Sequence, residues 1–235
     1  MRVRIALVAL LATVSTLAVA SQAQAAGSLS GTETRVTTDP GDQYDPAISG
    51  NIVVFTDYRA EDTDVYYVDL TTGIEHPVVV AHSDQELTGV SGSKIVYTDY
   101  RTADVVLFDI ATGTTTNLTR ADKDAAGHAF SSIDPAISGD LVAWQDARDG
   151  NQEIYAKNLA TGEERRVTDS AAVDVKPSVS GTLIVWQSCI VPDDTCAVYA
   201  YDWATQETRL IAAGTGDHLV GPSTDGVHVV YQNGS

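Results

Sequence analysis

Residues 134–148 read DPAISGDLVAWQDAR: a polar turn at Gly139 between two apolar segments, the second carrying Trp144 and ending on Asp146 and Arg148. The turn glycine returns at Gly50, Gly92, Gly181 and Gly226, at spacings of 42 to 47 residues. Five residues after each glycine stands a ring: Phe55, Tyr97, Trp144, Trp186 and Tyr231. Seven after stand Asp57, Asp99 and Asp146, then Ser188 and Asn233, and nine after the first three stand Arg59, Arg101 and Arg148. Self-similarity at such a period marks an array of like units.

Within the third unit, Asp134–Ser138 and Leu141–Gln145 flank the Gly139 turn and read as a hairpin. Glu153–Leu159 alternates apolar and polar residues, as a third strand does, and Glu164–Thr168 follows the Ala160-Thr161-Gly162 turn as a fourth. The other units repeat this order, with outer strands at Pro77–Val80, Thr116–Thr119 and Thr208–Ile211. Four antiparallel strands per unit predict an all-β fold, a β-propeller. The fifth unit offers two strands, Pro222–Thr224 and Val227–Gln232, before Ser235, while Glu33–Thr37 matches the outer-strand phrase Glu164–Thr168 with no strands before it. The expectation is therefore five blades. The closing blade is shared by the N- and C-termini and lacks its third strand, unless the chain continues past Ser235.

Arg2 and Arg4 precede an apolar run from Ile5 to Ala20 and an Ala23-Gln24-Ala25 site. That pattern predicts a signal peptide over residues 1–25, a short linker over 26–31 and one propeller domain over 32–235. The run is short for a membrane span, so the protein is expected to be exported, either secreted or held in the periplasm or cell envelope. Without Arg2 and Arg4, 12 basic residues face 32 acidic ones, a formal charge of −20 that excludes nucleic acid as a partner. The same charge favours solubility, or attraction of cations or a basic surface. Cys189 and Cys196 are expected to pair as a loop staple in an oxidising compartment. His76, His82, His128, His218 and His228 are scattered and form no zinc set with them.

A large residue at one position of every second strand packs neighbouring blades, so the ring column is read as core. The Asp-x-Arg triplets recur once per blade, whereas catalysis needs differentiated groups at one point, so they are expected to pin loops by carboxylate–guanidinium bonds. Function belongs to the face with the longer loops, and the residues assigned to it are Asp45, Asp57, Arg59, Glu86, Asp99, Arg101, Asp134, Asp146 and Arg148. Asp45, Glu86 and Asp134 are taken as equivalent blade positions. No Gly-x-Ser-x-Gly or His-Glu-x-x-His motif occurs, and no catalytic, cofactor or metal residue is nominated. Two further readings stay open. Oxygen ligands between Asp146 and Glu153 are spaced loosely like a calcium loop, and a pair of mouth carboxylates could serve a glycan hydrolase or lyase.

The phrases Pro135-Ala136-Ile137-Ser138-Gly139, Trp144-Gln145-Asp146-Ala147-Arg148, Leu159-Ala160-Thr161-Gly162 and Arg166-Val167-Thr168 resemble the repeat of TolB-type β-propellers. The likeness spans nearly all of residues 32–235, but the separate N-terminal domain of TolB itself is lacking. The chain also keeps Ser-Gly turns where the family commonly has Ser-Pro-Asp-Gly, with Ser223-Thr224-Asp225-Gly226 coming nearest. The resemblance implies an exported, non-enzymatic module whose propeller mouth docks a partner protein or a cell-wall glycan. Family members that are peptidases or polysaccharide lyases make catalysis the alternative.

Overall fold

The computed structural model describes residues 2–6, 33–119, 132–190, 195–214 and 218–234. Apart from residues 2–6, the segment read as a signal peptide and the linker over 26–31 lie outside them. The described residues hold no helix. Strand β1 is Arg2–Ala6. The first sheet is β2 (Asp42–Ser49), β3 (Ile52–Tyr58), β4 (Asp64–Asp69) and β5 (Ile74–Val79). The second is β6 (Gln85–Ser91), β7 (Lys94–Asp99), β8 (Asp104–Asp109) and β9 (Thr114–Asn117). The third comprises β10 (Ser132–Ser138), β11 (Leu141–Asp146), β12 (Glu153–Asn158) and β13 (Glu164–Arg166). The fourth comprises β14 (Val173–Ser180), β15 (Leu183–Ile190), β16 (Thr195–Asp202) and β17 (Glu207–Ala213). These four are antiparallel meanders in chain order, the blades that the repeat predicts, with outer strands shifted by a few residues.

The fifth sheet, ordered β1-β19-β18, joins β18 (His218–Thr224) and β19 (Val229–Gly234) to the N-terminal strand, Arg2 opposite Asn233 and Ala6 opposite Val229. Both ends of the chain thus build the last blade, but the N-terminal contribution differs from the expected one. The strand is Arg2–Ala6 in the third position, not Glu33–Thr37 in the fourth. Residues 33–39 are not a strand: Arg35 Nη2 donates to the Asp39 carbonyl (3.2 Å), and Asp39 N–H donates to Thr37 Oγ1 (3.4 Å).

Each turn glycine solves a steric problem. Gly139 sits at φ 58°, where a Cβ would be strained, and its equivalents in the other tight Ser-Gly turns lie within a few degrees of it. The serine before it ties blades together: Gly92, Gly139 and Gly181 N–H groups donate to Ser49, Ser91 and Ser138 Oγ of the preceding blade at 2.9, 2.8 and 3.0 Å. Four rings of the column are core, Phe55, Tyr97, Trp144 and Trp186 all 3% exposed or less, while Tyr231 in the fifth blade is half-buried. Each successive pair of blades encloses its own apolar cluster. Trp144 meets Val96 and Val105 across the second and third blades, and Trp186 meets Ile154 and Leu141 across the third and fourth.

The inner strand of each blade lies against three strands of the one before: β6 on β2, β3 and β4; β10 on β6, β7 and β8; β14 on β10, β11 and β12; β18 on β14, β15 and β16. Among the described residues β2 makes no such extended contact with the fifth sheet. On that flank Phe55, Tyr66, Val68 and Val53 form a cluster of the first blade alone, and Ile48 of β2 is 65% exposed. The blades therefore pack in series, and the seam between the fifth and the first differs from the other four.

Candidate functional site: the loop face and the acidic mouth

The Asp-x-Arg triplets stand where the second strand of each blade runs into its loop. Asp57 and Asp146 are fully buried and Asp99 nearly so. Arg59 grips Asp57 with two bonds, Nε to Oδ1 at 2.7 Å and Nη2 to Oδ2 at 2.8 Å, and reaches Glu75 of the outer strand at 2.8 Å. Its guanidinium lies 3.8 Å from the Tyr66 ring centroid. Arg148 repeats this arrangement, 2.6 Å from Asp146, 3.0 Å from Glu164 and 4.0 Å above the Tyr155 ring. Burial alone would raise the Asp146 carboxyl, but bonds from Arg148 and the Trp144 indole outweigh it and hold the group below its ordinary value. Asp57 is lowered for the same reason, burial opposed by Arg59. Among the described residues the Arg101 side chain makes one contact, 3.1 Å to Asp99, and stays 59% exposed; Val106, not a tyrosine, lies opposite Tyr97. All these partners belong to one blade, so the first and third triplets pin their loops to their own outer strands rather than to a neighbouring blade, while Arg101 reaches no outer-strand residue among those described.

The loop from Asp146 to Glu153, whose spacing resembles a calcium loop, has its carboxylates engaged by protein donors. Asp149 accepts from Tyr155 Oη and pairs with Arg166 at 3.3 Å, and Glu153 pairs with Arg166 at 3.0 Å. Among the described residues no group of three or more His, Cys, Asp or Glu is arranged to hold a metal ion.

Asp45, Glu86 and Asp134 lie on the inner strands, where each blade carries a bulge. Asp45 and Asp134 occupy the bulge at φ 51°, as Lys176 does at φ 53° in the fourth blade. Aspartate tolerates this left-handed region better than most residues. The bulge N–H groups of Asp134 and Lys176 donate to Thr98 and Gln145 of the preceding blade at 3.2 and 3.1 Å. In the second blade Leu87 takes this place, its N–H donating to Thr56 at 3.0 Å. Glu86 is one residue earlier, opposite Thr98, so it is not the equivalent of Asp45 and Asp134. The shorter bulge of β6 hides that offset in the sequence.

These acids share one electrostatic patch. Burial raises Asp134, and the charge of Glu86 raises it further against Lys176. Tyr100 donates to Glu86 Oε2 at 2.7 Å, and burial, Glu86, Asp134 and Asp84 all push its hydroxyl up. Tyr44 is raised by burial and by Glu86, Asp84 and Asp45. Among the described residues Asp45, Glu86 and Asp134 form no ion pair, unlike the triplet acids. Cys189 and Cys196, opposite each other on β15 and β16, form a disulfide with an S–S distance of 2.07 Å. No helix of the described residues is long and apolar enough to cross a membrane.

No protein-family model matches the chain, and no curated protein sequence matches it. Solved structures do. A protein assigned as TolB in Agrobacterium tumefaciens superposes with a TM-score of 0.59 at 19% identity, over 79% of this chain and 72% of that one. TolB from Acinetobacter baumannii gives 0.58 at 15% identity, over 85% of this chain and 56% of its own length. Oligogalacturonate lyase in complex with manganese gives 0.55 at 14% identity, over 82% and 65%. At such identities the likeness is one of architecture, and the chain spans little more than half of the Acinetobacter protein. Repeat, blade order and superposition agree: the chain has a TolB-like β-propeller fold.

Proposed function

We propose that this protein is an exported, non-enzymatic binding propeller that presents the acidic mouth around Asp45, Glu86 and Asp134 to a partner protein or a cell-wall glycan. The observation that carries the reading is the division among the acids. Those of the triplets are buried and satisfied within their own blade, while those on or beside the inner-strand bulges are gathered in one field, with no cation paired to them among the described residues. An unneutralised patch of one sign favours a basic surface and speeds its encounter. Tyr44 and Tyr100, both exposed beside these carboxylates, supply flat amphipathic area of the kind found in binding hot spots. Export rests on the N-terminal sequence pattern and on the Cys189–Cys196 disulfide.

The test is capture from an envelope fraction by the chain lacking residues 1–25, compared with the triple variant Asp45→Asn, Glu86→Gln, Asp134→Asn. Loss of the captured species with retained folding supports the mouth, and unchanged capture refutes it. A second reading, a glycan-cleaving enzyme, draws on the Asp134 carboxyl, raised by burial and by the neighbouring Glu86, since a raised carboxyl beside another acid suits a general-acid role. Turnover of acidic or neutral oligosaccharides that vanishes in Asp134→Asn would favour it over the binding reading.

A further inference from the structure

The repeat breaks in the fourth blade, and the break leaves a cavity. In the third blade Ser132 on β10 faces Asp146 on β11; in the fourth, the same register pair is inverted, with Asp174 on β14 facing Ser188 on β15. The carboxylate keeps its place against the ring column: Trp144 Nε1 donates to Asp146 at 2.9 Å, and Trp186 Nε1 donates to Asp174 at 3.0 Å. Its cation is gone. Four residues after the ring, where the first and third blades have Arg59 and Arg148, the fourth has Ile190, and the outer-strand glutamate position, Glu75 and Glu164 there, is Thr208 here. The tyrosine under the guanidinium is retained, Tyr199 opposite Trp186, the two rings stacked 5.8 Å apart as Trp144 and Tyr155 are at 6.3 Å.

Arg59 and Arg148 each cover such a tyrosine, whereas no described cation lies over Tyr199. Where the guanidinium would sit there is a cavity of about 570 Å³, lined by Trp186, Tyr199, Asp174, Ser188 and Ile190 among others. Asp174 is 1% exposed and hydrogen-bonded to Trp186, Ser170 and Ser188, but no lysine or arginine of the described residues pairs with it. A carboxylate offers about four acceptor sites, so these donors leave room for one more. Asp169 at the rim is already paired with Arg166 at 2.8 Å, which among the described lining residues leaves Asp174 as the charge facing the cavity.

We propose that this cavity is a binding site for a guanidinium group, the arginine side chain of a partner protein, lying over Tyr199 with Asp174 as its counter-charge. The chain carries two filled copies of the site, so the ligand chemistry is read from its own blades. An aromatic face and a buried carboxylate favour a planar, weakly hydrated cation over an ammonium. The site lies between the third and fourth blades and does not depend on the acidic mouth.

The test uses three capped tripeptides, Gly-Arg-Gly, Gly-Lys-Gly and Gly-citrulline-Gly, titrated into the folded chain while the indole N–H resonances of Trp186 and Trp144 are followed. The site predicts saturable movement of the Trp186 signal with the arginine peptide, weaker binding of the lysine peptide, no binding of citrulline, and a Trp144 signal that stays put. Replacing Ile190→Arg lets the fourth blade fill its own cavity and should abolish the titration without unfolding the chain. Tyr199→Leu should weaken binding about threefold to tenfold, the usual worth of a cation over a partly buried ring. Equal binding of citrulline and arginine, undiminished binding by Ile190→Arg, or no response of Trp186 at millimolar peptide would each overturn the proposal.

Discussion

Arg59, Arg101 and Arg148 occupy the same repeat position, yet the structure predicts unequal contributions to stability. Replacing Arg148 with Met keeps most of the stem and removes the charge. It leaves Asp146, fully buried, without its 2.6 Å partner, leaves Glu164 with Lys157 alone, and uncovers Tyr155. Stranding a buried carboxylate costs about 3–5 kcal/mol, and because Arg148 is itself 16% exposed the lower end applies, about 3 kcal/mol. Arg59→Met, which loses the equivalent partners Asp57, Glu75 and Tyr66, should cost about as much. Arg101→Met removes one contact of a side chain that is 59% exposed, with no ring beneath it, and should cost less than about 1 kcal/mol. Urea unfolding followed by tryptophan fluorescence reads the difference directly, and for a chain of this size about 3 kcal/mol corresponds to a melting shift of roughly 6–12 °C. The dependence on pH has a defined sign. Asp146 is lowered in the folded chain, so its contribution is present above the unfolded carboxylate value and is lost as the pH falls through the folded one. Without the Arg148 guanidinium the carboxyl shifts upward, burial then being opposed by the Trp144 indole and the residue-148 N–H but by no cation, so acidification relieves part of the variant's penalty and narrows its gap from the parent. Equal costs at all three positions, or a gap that widens in acid, would refute the reasoning.

Other expectations follow from single contacts. Trp144→Ala should cost about 3–5 kcal/mol, since the ring is fully buried between the second and third blades; a loss under 1 kcal/mol would contradict the core assignment. Gln206 sits at φ 61° where the equivalent turns have Gly73, Gly113 and Gly162, so Gln206→Gly should raise stability by about 0.5–1 kcal/mol in the same urea assay. The serine variant of both Cys189 and Cys196 should lose about 2.5 kcal/mol by the loop-entropy estimate, given a sequence separation of 7. If the exported chain begins at Ala26, as its N-terminal sequencing would establish, β1 is absent from it. The β19 amides that faced β1 should then exchange faster by hydrogen exchange than in the full chain, unless Glu33–Thr37 takes the vacated edge.

Much of this fold is written in short-range pattern. Gly139, Trp144 and the alternation of Glu153–Leu159 each specify their strand or turn locally, and recurrence multiplies the signal. What was not legible depends on pairing between distant positions. Glu33–Thr37 carries the outer-strand phrase, but in the third blade that phrase is anchored by Thr168, whose hydroxyl bonds Glu153 and receives Ile154 N–H at 2.8 Å from the adjacent strand. Thr37 has no such partner and instead accepts from Asp39. Arg2–Ala6 carries the charge and apolarity of an export signal, which masks its capacity to pair with β19. The roles of Asp45, Asp134 and Glu86 turned on a bulge one residue shorter in β6, which changes register without any marker residue. The exchange of Asp174 and Ser188 is visible only once β14 and β15 are set side by side, because the two residues are far apart in the chain and each is unremarkable alone.

The residues this chain repeats build its blades, and the place where the repeat breaks is the one proposed to bind. A crystal structure of the chain grown with an arginine peptide tests it most directly. The expected result is a guanidinium over Tyr199 at the spacing Arg148 keeps from Tyr155, 4.0 Å, with Asp174 beside it. An empty cavity at saturating peptide, or a guanidinium bound elsewhere with Tyr199 uncovered, would contradict it.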